Sequence, residues 1–201
     1  MSKGAIDFYF EFSSPFGYLA SELIETVANR HAVEINWQPF LLGAVFKVTG
    51  GSPLVNKPLK GDYSQRDMRR SARLHGIPFN WPEKFPVFPV PSCRAVYWTK
   101  ANHPEKTADL VHALYRGAWG TGRSVWETGT VIDIAEETGI DRNEVEAGIG
   151  DPAIKESLKT ATDEAIERGV FGSPFFIYRD EPFWGVDRLD HLDKWIATGG
   201  W

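Results

Sequence analysis

The chain has 201 residues, 42% of them hydrophobic and 24% charged; that is the composition of one globular domain, or of one domain with a large insertion, and not of a disordered or fibrous chain. Its 22 Lys and Arg against 27 Asp and Glu leave a net charge of −5, whereas nucleic-acid binders show a basic excess. The one cysteine, Cys93, excludes an intramolecular disulfide, a Cys-x-x-Cys redox pair and a cysteine-rich zinc site.

No stretch approaches the roughly 18 apolar residues of a membrane span. The histidines, at 31, 75, 103, 112 and 191, lack metal-ligand spacing, so no metal site is expected. The opening MSKGAIDFYFEF runs directly into a strand pattern without the layout of a signal peptide. The expectation is a cytoplasmic protein with neither a nucleic-acid nor a membrane partner.

Ile6, Phe8, Phe10 and Phe12 alternate, so Ala5 to Phe12 reads as a strand. Ser14-Pro15 follows as an N-cap with Pro at the first helical position, and Leu19, Leu23, Ile24 and Val27 continue an amphipathic helix over about 15–30. Val33, Ile35 and Trp37 alternate again in a second strand. Residues 40–62, rich in Gly and Pro, read as a long loop with at most one helical turn; loops of that length are often functional. A helix is expected over 62–76, then an extended, proline-rich stretch over 77–91.

Helical periodicity marks 92–101, 105–119, 125–138, 142–148 and 152–168. Ser124-x-x-Glu127 has the pattern of a capping box, and Asp151-Pro152 that of an N-cap followed by Pro. Pro174 to Tyr178 and Glu181 to Trp184 read as strands, and Asp187 as the cap of a last helix over 188–198. The order β-α-β, helical block, β-β-α closes into one mixed four-stranded sheet with helices on both faces and the block as an insertion.

Ser14 stands where a strand ends and a helix begins, a place where free N–H groups and the helix dipole favour an anion. It either caps the helix or donates its hydroxyl proton to a ligand thiolate. Ser173-Pro174 opens a strand; the bond is either an ordinary trans one, or a cis one that exposes the preceding backbone to an extended peptide. Asp187 either caps the last helix or binds a ligand ammonium. Asn56, Lys57 and Lys60 with Arg66, Arg69, Arg70 and Arg73 make 56–73 locally basic, as a solvated helix face or as a site for a small carboxylate. Cys93, near a helix start, is either a thiol of lowered pKa or a buried small hydrophobe. Trp81, Trp98, Trp119, Trp126, Trp184 and Trp195, with Phe16 and Tyr18, supply core aromatics and candidate walls of an apolar pocket.

Three segments in order resemble one family. Asp7-Phe-Tyr-Phe-Glu-Phe-Ser-Ser14-Pro15-Phe-Gly-Tyr-Leu-Ala20 is similar to the active-site opening of 2-hydroxychromene-2-carboxylate isomerases and kappa-class glutathione transferases. Val170-Phe-Gly-Ser-Pro174 resembles that family's cis-proline segment, and Trp184-Gly-Val-Asp187-Arg188-Leu its late glycine-x-aspartate-arginine segment. The likeness spans essentially the whole chain. It implies an α/β, DsbA-like thioredoxin fold, with the thioredoxin-like domain over 1–62 and 169–201 and an all-helical insertion over 63–168. A homodimer that binds glutathione and a small aromatic substrate is also implied.

On this resemblance Ser14 is the catalytic residue and hydrogen-bonds the glutathione sulfur. Pro15, Phe16, Asn56, Ser173, Pro174 and Asp187 hold glutathione, the Ser173 backbone pairing with its cysteinyl unit and Asp187 with its γ-glutamyl group. Lys60 and Trp184 face the substrate. Val186 stands where relatives often carry Asn or Ser, and Pro91 where they often carry a polar residue. The implied reaction is conversion of 2-hydroxychromene-2-carboxylate to trans-o-hydroxybenzylidenepyruvate, in naphthalene-type aromatic degradation. It proceeds by addition of the glutathione thiolate, bond rotation and elimination. The alternatives are a kappa-like glutathione transferase or peroxidase on another electrophile, and a non-catalytic thioredoxin-fold binding module.

Overall fold

The computed structural model describes residues 4–201. Strand β1 (Ala5–Phe10) leads through a four-residue connection into helix α1 (Pro15–His31), and β2 (Glu34–Pro39) returns parallel to β1. The chain re-enters the sheet at β3 (Phe175–Tyr178), antiparallel to β1, and finishes with β4 (Glu181–Trp184) and α9 (Leu189–Thr198). The sheet order is β2-β1-β3-β4. Between β2 and β3 lie α2 (Leu42–Thr49), α3 (Lys60–Leu74), α4 (Val90–Asn102), α5 (Thr107–Tyr115), α6 (Thr128–Glu137), α7 (Arg142–Gly150) and α8 (Pro152–Glu167). A single turn of π-helix, Arg116–Gly120, prolongs α5.

The period-two pattern sorts the sheet into two buried faces. Ile6, Phe8 and Phe10 of β1 join Phe176 and Tyr178 of β3 in the larger core, which continues through α1, α4, α5, α6 and α9. Phe8 stacks on Phe176 with ring centroids 5.0 Å apart. Tyr9, Phe175 and Ile177 point the other way and pack on Val45 of α2 and Ala165 of α8. Burial on both faces fixes the register, because a one-residue slip would carry every one of these aromatics to the wrong side.

Four expectations are corrected. Residues 42–49 form a helix, not part of a loop: Val45 is its buried anchor and Gly50, in the left-handed region at φ 70°, ends it. Ser124-x-x-Glu127 makes no capping box; α6 starts at Thr128 with Glu127 as an N-cap that offers no side-chain bond. Asp187 does not cap α9, because a 3-10 turn over Val186–Arg188 intervenes and Arg188 takes the cap position. The first strand also stops at Phe10, which leaves Glu11 and Phe12 in the connection to α1. Among the described residues, no helix is long and apolar enough to cross a membrane.

Candidate active site at the start of the first helix

The β1–α1 connection is where the sheet delivers the chain to a helix N-terminus. Ser14 is the N-cap of α1, with extended backbone at φ −91° and ψ 111°, and Pro15 is the first helical residue. Ser14 Oγ accepts from Gly17 N–H at 3.0 Å, and Tyr18 N–H donates to Ser14 O at 3.1 Å. Pro15 has no N–H, so Phe16 N–H is the first-turn amide left without a partner among the described residues. The helix therefore presents an unspent donor beside Ser14, at its positive end.

Ser173 closes over the same point. Ser14 Oγ donates to Ser173 O at 2.8 Å, and Glu11 N–H donates to Ser173 Oγ at 3.1 Å. The Ser173–Pro174 peptide bond is cis, as the resemblance implies, and Pro174 O accepts from Gly185 N–H at 3.0 Å. That last bond brings the turn carrying Asp187 alongside Pro174. The Asp187 carboxylate is 71% exposed and pairs with Arg188 at 3.1 Å. Trp184 lies over Gly172: a Cβ added there would meet the indole Nε1 at 2.5 Å. Its ring also stands against Phe171, centroids 4.9 Å apart, and over half of the residue remains exposed.

Ser14, Pro15, Phe16, Ser173 and Pro174 are thus gathered at one place, with Asp187 and Trp184 on the adjoining turn. Asn56 and Lys60 are not drawn into this network. Asn56 ends a 3-10 turn over Leu54–Asn56 and Lys60 begins α3; both are exposed and, among the described residues, neither bonds to Ser14 or Ser173. The arginines of 56–73 lie on the exposed face of α3, opposite the buried Met68 and Ala72, as a solvated face would. Arg70 is taken up by Asp67 and Tyr63 within that helix. Two open cavities, of about 690 Å³ beside Trp98 and Glu144 and about 470 Å³ beside Phe183 and Trp195, are lined by other residues than Ser14.

Sequence reasoning passed over a second layer of the site. Tyr115 OH donates to Glu11 O at 3.1 Å and Trp119 Nε1 to Phe12 O at 2.9 Å, so the inserted helices hold the connection from behind. Tyr18 OH reaches Pro78 O at 2.9 Å. Gly17 is what lets Tyr115 come so close: a Cβ there would stand 2.5 Å from the Tyr115 hydroxyl and 3.2 Å from Ser14 Cβ. The Glu11 carboxylate is 3% exposed; Oε2 accepts from Ser13 N–H at 2.9 Å and from the Ser13 hydroxyl. Burial pushes it up to about 7, against the two Ser13 bonds that favour the charged form. Cys93 is buried as well, and burial first, then the nearby Glu11 charge, pushes its thiol well up, as befits a small hydrophobe and not a reactive group.

Comparisons with known proteins place the chain in a family. A family model described as "DSBA-like thioredoxin domain" matches residues 5–197. A 2-hydroxychromene-2-carboxylate isomerase from Pseudomonas putida is 32% identical over 195 residues, covering 94% of this chain and 92% of that one. The chain belongs to the DsbA-like thioredoxin family, among its 2-hydroxychromene-2-carboxylate isomerase relatives. A solved structure of a 2-hydroxychromene-2-carboxylate isomerase superposes on this DsbA-like chain with a TM-score of 0.87 at 30% identity, over 97% of this chain and 94% of the other. Glutathione S-transferase kappa 1 of Homo sapiens is more distant, 24% identical over 209 residues, with 96% of this chain and 92% of that one covered. The four-stranded mixed sheet with its helical insertion is accordingly a DsbA-like thioredoxin fold, and the position at which Ser14 stands is the start of its first helix.

Proposed function

We propose that the protein is a glutathione-dependent isomerase acting on a 2-hydroxychromene-2-carboxylate-type substrate, with Ser14 as its catalytic residue. The observation that carries the reading is the Ser14 hydroxyl at the N-terminus of α1, beside the free Phe16 N–H and the Ser173 carbonyl. The full-length identity to isomerases supports the reaction class.

The residues present fit glutathione. Ser173 offers its backbone in the bend before cis-Pro174, at the point where β3 begins, for pairing with a peptide-like ligand. Asp187 offers an exposed carboxylate for an ammonium group on the turn tied to Pro174 O. Asn56 and Lys60, on the exposed 54–60 segment, supply polar and cationic contacts for the carboxylate-bearing partners, and the Trp184 ring an apolar wall for an aromatic substrate.

Bound glutathione supplies a thiolate that adds to the conjugated substrate and leaves again after bond rotation. The chain's own work is to favour the anion. Ser14 Oγ–H turns from Ser173 O to the sulfur, Phe16 N–H points at the same place, and the α1 dipole adds a partial positive charge. A homodimer in the cytoplasm is the setting that goes with this reading. The sheet domain (residues 1–62 and 169–201) would then hold glutathione and the insertion (63–168) shape the substrate side.

Calorimetric titration of wild type and Ser14→Ala with reduced glutathione, followed by thiolate absorbance, tests the reading. Saturable binding with a Ser14-dependent thiolate signal is expected, and conversion of the chromene substrate separates an isomerase from a kappa-like transferase. Absence of binding at millimolar glutathione would overturn both and leave a binding module.

A further inference from the structure

The reading above leaves one buried ionisable group of the site without a task. Glu11 sits in the β1–α1 connection, three residues before Ser14, and its backbone N–H, its carbonyl and one carboxylate oxygen are all engaged there. Its carboxylate holds Ser13 N–H and the Ser13 hydroxyl, its carbonyl accepts from Ser14 N–H at 2.9 Å and from Tyr115 OH at 3.1 Å, and its N–H donates to Ser173 Oγ. No lysine or arginine pairs with it among the described residues. The titratable groups that face it are Cys93 from α4 and Tyr115 from α5, both buried and both pushed well up by burial first and by the Glu11 charge next. A carboxylate without a cation in such a place is held in charged form only by the Ser13 donors.

We propose that Glu11 is the proton acceptor of the site: when glutathione docks at Ser14, the proton that leaves its sulfur is balanced by one taken up on a Glu11 carboxylate oxygen, with the half-buried Ser13 hydroxyl as the link between the two. Wherever Glu11 is ionised when glutathione docks, one S–H bond is lost and one O–H bond is gained, so the net charge of the site stays constant. The physical reason is mutual repulsion. An anion formed at the start of α1 raises the cost of the buried Glu11 charge three residues before it, and the group lacking a helix terminus takes the proton. Ser13 serves both states, since its hydroxyl donates to the carboxylate and accepts from the carboxylic acid. Burial raises the Glu11 carboxyl to about 7, so its charged and neutral forms are both within reach near neutral pH.

This inference rests on the glutathione reading, and its test separates the two. Wild type and Glu11→Gln are titrated with reduced glutathione at pH 7 in buffers of different ionisation enthalpy, with thiolate formed measured by ultraviolet absorbance in the same samples. A free thiol has a pKa of about 8.5 and is almost wholly protonated at pH 7, so a thiolate formed without an acceptor releases about one proton. The expected result is fewer protons released per thiolate in wild type than in Glu11→Gln, which should release about one. A merely structural role for Glu11 would lower affinity without moving this ratio.

Infrared difference spectra of wild type keep the proposal testable if Glu11→Gln does not fold. A protonated-carboxyl band should grow on addition of glutathione and stay absent with S-methylglutathione, which cannot form a thiolate. Equal proton release per thiolate in both proteins, or no carboxyl band, overturns the inference while leaving the glutathione reading intact. No thiolate in wild type overturns both.

Discussion

The Ser14 hydroxyl donates its proton to the carbonyl oxygen of Ser173, 2.8 Å away and 159 residues further along the chain. Without ligand, the side chain that would stabilise a thiolate is therefore spent on the neighbouring segment, and a ligand must compete with an internal acceptor. The exchange favours a charged sulfur over a neutral one, because a hydrogen bond to an anion is about twice as strong as one to a neutral carbonyl. On the glutathione reading, this exchange would discriminate thiolate from thiol.

Ser14→Ala removes that donor and the N-cap together. The loss of one bond to a charged group is worth about 1.5–3 kcal/mol, so the thiolate fraction of bound glutathione should fall roughly ten- to a hundredfold. Loss of the cap should cost about 1 kcal/mol of fold stability. Ultraviolet absorbance against pH measures the first and urea unfolding the second. A variant with an unchanged thiolate fraction would remove Ser14 from the chemistry.

Ser14→Cys is the complementary change. A thiol at this helix start should titrate below its ordinary value of about 8.5, as thiols at helix N-termini do. The rate of iodoacetamide alkylation against pH reads this directly. Cys93 does not interfere, since it is buried with its thiol pushed well up. In wild type one thiol should therefore react only on unfolding.

Gly17→Ala tests the close approach behind Ser14. A methyl group would stand 2.5 Å from Tyr115 OH and 3.2 Å from Ser14 Cβ. Either α1 shifts or the Tyr115–Glu11 bond breaks, at a cost of about 1–3 kcal/mol. Glutathione affinity should fall along with stability. If Tyr115 is the obstacle, Gly17→Ala combined with Tyr115→Phe should recover part of the stability, which thermal unfolding of the single and double variants would show.

The parts of the site written in local chemistry were legible. Ser14-Pro15 is a cap followed by an N1 proline, and the run from Ser173 to Tyr178 is a strand opened by proline, so their elements could be placed from neighbouring residues alone. Their meeting was not local: it depends on β3 pairing with β1 across the whole insertion. Glu11 was hidden by periodicity. Continuing the alternation to Phe12 puts Glu11 on the second face with Tyr9, but the strand ends at Phe10 and the carboxylate is buried in the connection instead. Helix α2 was masked by the glycines and prolines around it, although Val45, with Leu42 beside it, anchors it to the second core. Asp187 looked like a cap because the 3-10 turn before α9 leaves no trace in composition, and its failure to cap is what leaves the carboxylate exposed.

The contact between α1 and the insertion should impose a pH dependence of its own. Arg116, in the π-turn after α5, grips Glu22 of α1 through both Nε and a terminal nitrogen, each 2.8 Å from a carboxylate oxygen. Burial pushes Glu22 up, but His112 and Arg116 outweigh it and hold its carboxyl at about 2. His112 Nδ1 is 3.8 Å from Glu22, too far for a hydrogen bond, so it acts through space while Arg116 supplies the bonds. A carboxyl lowered in the folded state contributes stability that is full above its unfolded value of 4.5 and is lost as the pH falls through about 2. Because the Arg116 side chain is 60% exposed, solvent screens the pair, and Glu22→Gln should cost about 1–2 kcal/mol at neutral pH. Urea unfolding of both proteins from pH 7 to pH 2 provides the test. The gap between them should stay constant down to about pH 4.5 and narrow below it; a gap that is absent at neutral pH, or unchanged in acid, would show that Glu22 does not carry the α1–α5 contact.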